Sequence, residues 1–88
     1  MKRTKLDDIV EQWADVDILK VDGFDDCVLG YDYNWDGVIR LIYSVDKIIK
    51  KLVKKDKMDI DEAIEYFEFN IRGSYVGEKT PIYCQDDF

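Results

Sequence analysis

"CVLGYDYNWDGVIRLIYS", residues 27–44, decides how this chain folds. Two runs rich in β-branched and aromatic residues, 27–33 and 38–44, flank Asn34–Gly37. Asp and Gly tolerate the positive φ of tight hairpin turns, so the pattern predicts two antiparallel strands. A two-residue turn at Asp36-Gly37 and a four-residue loop over Asn34–Gly37 imply different registers, and both remain open. Acidic or amide side chains at Asp32, Asn34 and Asp36, followed by Gly37, also open the way an EF-hand calcium loop does. Counted from Asp32, however, the ninth position is Arg40 and the twelfth, where a bidentate carboxylate is needed, is Tyr43. The flanks read as strands rather than helices. The stretch is a turn, and neither metal nor cofactor is expected.

Helical signals lie on both sides. In "TKLDDIVEQW", Leu6, Ile9, Val10 and Trp13 keep the spacing of one apolar face, predicting a helix over about 5–14. Thr4 is its cap, with Asp7 as capping-box partner. "SVDKIIKKLVKKD" predicts a helix over 45–55, capped by Ser44, with Val45, Ile48, Ile49, Leu52 and Val53 inward. "MDIDEAIEYFEFNIRG" predicts another over 60–72, opened by Asp59 and Glu62 and ended at Gly73. Its core face is Ile60, Ala63, Ile64, Phe67 and Ile71. "TPIYC", 80–84, reads as a last strand that Pro81 confines to its start or to an edge. The expected fold is α+β: a small antiparallel sheet, made of the hairpin and the C-terminal strand, with the three helices packed on one face.

An 88-residue chain with 47% hydrophobic residues and one proline forms a single domain with one modest core. No apolar run follows the basic start "MKRTKLDDIV", so no signal peptide is expected, and no stretch is long enough to span a bilayer. A cytoplasmic location is expected. Cys27 and Cys84 are the only cysteines and histidine is absent, so a zinc site is not expected; two thiols are the simplest reading.

The net charge of −7 is unevenly laid out. Residues 1–36 hold ten acids and four bases, 37–57 two acids and seven bases, and 58–88 eight acids and two bases. An acidic protein is a poor generic ligand for nucleic acid or anionic membrane. The basic block raises an alternative, phosphate contact through Lys50, Lys51, Lys54 and Lys55. Two other readings compete: a solvated helix face, and pairing with Asp61, Glu62, Glu65 and Glu68 of the next helix.

With no histidine, no nucleophile–base pair and no glycine-rich phosphate loop, the usual catalytic constellations are missing. An enzyme is not expected; a carboxylate-dependent one would need a cleft holding close acids. Aromatics carry the stronger signal. Tyr66 and Phe69 flank the core stripe of their helix, while Tyr31, Tyr33, Trp35 and Tyr43 crowd the hairpin. Exposed, such rings mark partner surfaces. The first group, with Glu68, Asn70, Tyr75 and Glu78, is the candidate partner surface. The second is the candidate surface for a homodimer, in which two sheets would share their excess of aromatics.

"EAIEYFEFNIRGSYVGEKTPIY", residues 62–83, resembles a family of short, uncharacterised proteins encoded mainly by bacteriophages. That family shares an E-A-x-E-Y-F-E-F-N block followed by V-G-E-x-T-P, matched here by Glu65, Phe67, Glu68, Asn70, Gly77, Glu78, Thr80 and Pro81. The likeness extends more weakly upstream to about residue 22. It implies a phage gene product acting in the cytoplasm of an infected bacterium, and no particular activity. The block reads either as a structural clasp, with Asn70 and Thr80 bonding free backbone groups of the turn, or as a recognition surface. The expected function is that of a non-enzymatic accessory protein binding a host or phage protein, such as a host factor or defence system that it inhibits.

Overall fold

The computed structural model describes residues 3–33, 37–74 and 77–86. Its elements run α1 (Lys5–Gln12), a 3-10 turn (Asp25–Cys27), β1 (Val28–Tyr33), β2 (Ile39–Ser44), α2 (Val45–Lys55), α3 (Ile60–Tyr66) with a π-helical continuation (Phe67–Arg72), and β3 (Ile82–Cys84). The fold is α+β, with the strands in the order β1-β2-β3.

The last described pair of the hairpin is Tyr33↔Ile39, one residue out of register with either expected turn. Trp35 and the acidic tip at 34–36 lie outside the described residues. Asp32, the would-be first calcium ligand, is instead the cross-strand partner of Arg40, their charges 3.9 Å apart. A register shift between Val28 and Gly30 changes the parity of β1, so that Val28 and Tyr31 both pair with core-facing residues, Tyr43 and Leu41.

The sheet is mixed, which corrects the antiparallel expectation. β3 runs parallel to β2, in the register Ile42↔Ile82, Tyr43↔Tyr83, Ser44↔Cys84. The reason is the connection: α2 and α3 together carry the chain back to the end from which β2 started, as a parallel pairing requires. Pro81 precedes the first strand residue, where its missing N–H costs no ladder bond.

Burial along β2 alternates. Ile39, Leu41 and Tyr43 are buried, whereas Arg40 and Ile42 are only partly covered. The helices therefore share one face, and the core joins Leu6 and Ile9 of α1 to Val45, Ile48, Ile49 and Leu52 of α2 and Ala63, Phe67 and Ile71 of the last helix. Tyr43 is fully buried. Its hydroxyl accepts a 2.8 Å hydrogen bond from the Val21 N–H, which ties the long connection after α1 to the core.

Local caps form where the sequence places them. Thr4 and Asp7 make a capping box, and Asp59 accepts from the Glu62 N–H. α1 stops at Gln12 rather than near residue 14, because Trp13 leaves helical geometry at φ −114, ψ 46. Its ring then packs edge-on against Tyr31 at 5.9 Å and stacks on Tyr33 at 5.1 Å. Ser44 does more than cap α2. It accepts from the Lys47 N–H at 3.0 Å and donates to Asp86 at 2.8 Å, and the Asp86 carboxylate also accepts from the Asp46 N–H at 3.4 Å. The Asp86 side-chain carboxylate thus sits on the positive end of α2. Ser44→Ala should lower stability by about 1–2 kcal/mol in urea titration, because it removes the cap and strands a carboxylate. Asp86→Asn should lose less, since it keeps an acceptor.

Candidate functional site

Helix α3 and its continuation carry half of the large apolar side chains that are exposed among the described residues. Phe69 is 75% exposed, Ile60 55%, Ile64 44% and Tyr66 41%. Ile60 and Ile64 were expected in the core. They lie at one margin of the stripe, and α2 is the main element packed beside α3, so Ala63, Phe67 and Ile71 take the buried positions. The two isoleucines instead wall a 330 Å³ groove with Val45, Ile49 and Phe67.

On the opposite flank, Tyr66, Phe69 and Asn70 border a 420 Å³ depression together with Glu62 and Glu65. Three of the expected partner residues are therefore brought together. Glu68 is not with them: it borders the isoleucine groove and pairs with Arg72 at 3.1 Å. Glu78 is exposed beyond the helix, and Tyr75 lies outside the described residues. Glu62 and Glu65 were not expected on the partner surface. The spacing of four residues from Glu62 to Tyr66 and from Glu65 to Phe69 was the signal that they share a flank.

The segment that presents Phe69 is itself unusual. Residues Phe67–Arg72 form a π-helix, a wider turn that is rare and tends to occur at functional positions. Gly73 ends it by close approach rather than by a left-handed cap. A Cβ there would meet the carbonyl oxygens of Phe69 and Glu68 at 3.0 and 3.1 Å. Past that point the turn is closed by Ser74 donating to the Asn70 carbonyl at 3.1 Å and by Thr80 donating to the Gly77 carbonyl at 2.6 Å. Gly77 has φ +108, a conformation that favours glycine. Asn70 contributes its backbone to this arrangement, and its side chain is exposed.

The lysine row is not one free face. Lys51 is drawn inward, 2.8 Å from Asp26 and 5.6 Å from the Phe24 ring centre, so it is not a phosphate contact in waiting. Its ammonium holds the Asp26 carboxyl below the usual range. Lys50 pairs with Asp46 at 2.9 Å. Lys54 and Lys55 are exposed. Among the described residues the ion pairs of α2 go to Asp26 and Asp46, not to α3, so the expected cross-helix pairing is replaced by these contacts.

Of the hairpin aromatics, Tyr43 is core rather than surface, because β2 is the central strand and its ring meets Tyr83 at 6.1 Å. Tyr31 is half-buried, its hydroxyl accepting from Gln12 at 3.3 Å, and Tyr33 is exposed beside Trp13. Both cysteines are free thiols, Cys27 buried and Cys84 half-buried. Among the described residues no cluster of acids and cysteines is arranged to hold a metal, and no helix is long and apolar enough to cross a membrane.

Compared with protein-family models, curated proteins and solved structures, the chain finds no match.

Proposed function

We propose that this chain works by binding another protein, as a non-enzymatic accessory protein, and that the Tyr66–Phe69 flank of α3 is where the partner docks. One observation carries the reading. Phe69 stands almost free of its own fold, although the helix beneath it is well anchored through Phe67 and Ile71. A monomer gains nothing by holding a phenyl ring in water, whereas a partner that covers it gains about 1.5–3 kcal/mol. Tyr66 one turn away widens the apolar area, and Asn70 supplies a polar rim.

The likeness of residues 62–83 to phage-encoded proteins supports a host or phage protein in an infected bacterium as the partner, with inhibition of a host factor or defence system as the outcome. Phe69→Ala should leave the unfolding midpoint within about 0.5 kcal/mol of the parent, since the ring supports no core contact. It should weaken partner capture from crosslinked infected-cell lysate by roughly tenfold or more. Equal recovery of the same partner by parent and variant would remove this surface from the mechanism.

A further inference from the structure

The charge around the exposed rings narrows the partner's chemistry. α3 and its continuation carry Asp61, Glu62, Glu65 and Glu68, all exposed, against a single base, Arg72. Arg72 is committed to Glu68 at 3.1 Å, Lys50 and Lys51 of α2 pair with Asp46 and Asp26, and Lys55 lies beside Lys51 in a separate depression that Tyr66 also borders. Among the described residues Glu62 and Glu65 are left without a cation, on the same depression as Tyr66 and Phe69.

Resting on the protein-binding reading above, we infer that the partner docks an arginine-bearing amphipathic helix on this flank, its guanidinium groups lying against Phe69 and Tyr66 and bonding to Glu62 and Glu65. Each part of that description has a physical cause. Two unneutralised carboxylates beside aromatic faces suit a planar cation that stacks and forks at once, which arginine does and lysine does not. Glu62, Glu65, Tyr66 and Phe69 succeed one another at helical spacing, so the complementary surface is another helix crossing them. A second copy docking through the same flank would bring both copies' Glu62 and Glu65 together with no base between them. The acidic surface repels a nucleic-acid backbone for the same reason.

The test uses the full chain and three short helical peptides that share one leucine stripe and carry arginine, lysine or glutamate elsewhere. Calorimetric titration at low salt should give the arginine peptide a Kd of roughly 1–100 μM, the lysine peptide a weaker one, and the glutamate peptide no binding. Glu62→Gln with Glu65→Gln should weaken the arginine peptide roughly tenfold, and Phe69→Ala at least as much. Asp15→Asn with Asp17→Asn removes the same charge elsewhere on the exposed surface and should change it by about twofold or less. Equal losses from both double variants, or arginine no better than lysine, would overturn the inference as simple attraction to an acidic protein. Phe69-dependent binding of an uncharged leucine/glutamine peptide instead would overturn the cationic partner and leave the docking surface standing. If no peptide and no lysate protein binds in a Phe69-dependent way, both readings fall together. A dimer by light scattering that Phe69→Ala dissolves would replace the inferred partner with a second copy.

Discussion

Phe67→Ala should remove a large share of the protein's stability. Phe67 is 1% exposed, lies at the centre of the core between α2 and the sheet, and meets the Tyr83 ring edge-on at 5.5 Å. Removing a buried phenyl ring costs about 3–5 kcal/mol, from lost transfer energy and the cavity left behind. A chain of this length holds about 4–13 kcal/mol in total. The loss is therefore about a quarter or more of the whole stability. Because Phe67 also begins the π-helical segment, its loss should release Phe69 from its fixed position. Far-ultraviolet circular dichroism with urea titration measures the effect, and a midpoint within about 0.5 kcal/mol of the parent would contradict the core described above. The contrast with Phe69→Ala, two residues away and expected to be silent in the same assay, separates packing from docking.

Raising the pH above about 9 should destabilise the protein, because two buried neutral groups are then drawn to ionise. Burial first, then the neighbouring Asp26, push the Cys27 thiol up to about 11. Burial likewise pushes the Tyr43 phenol up to about 12, against the hydrogen bond from Val21, which favours the anion. Both groups are neutral in the fold and ionise earlier in the unfolded chain, near 9.0 and 10.0. Their contribution is thus complete below about pH 9 and disappears as pH rises through 11 and 12. Each amounts to about 2–3 kcal/mol. Thermal unfolding should show a Tm that is level up to about pH 9 and falls steeply above it. Cys27→Ala should remove the earlier part of that fall. Tyr43→Phe should remove the later part, while lowering stability at neutral pH by about 1–3 kcal/mol because the Val21 N–H loses its acceptor. An unaltered Tm at pH 11 would mean that these two groups are not as enclosed as the fold requires.

Within reach of a few residues, the sequence by itself determined much of this protein. The capping box of Thr4 and Asp7, the caps at Ser44 and Asp59, the strands around the hairpin and the inward stripe of α2 all appear where they were expected. These depend on hydrogen bonds and periodicities that close within one or two turns, so composition and spacing suffice to specify them. That Tyr66 and Phe69 flank the core stripe was legible for the same reason, since a helix has only one such stripe; that no other element covers them was not. What lies across the chain was not legible. Only the tertiary structure decided that β3 runs parallel to β2, that Tyr43 is enclosed, that Lys51 turns to Asp26, and that Ile60 and Ile64 face a groove. Each of these depends on which distant element lies opposite, a matter of how layers close over one another. A periodic pattern marks which side of a helix is apolar, but only the neighbour that arrives there determines how much of it is covered.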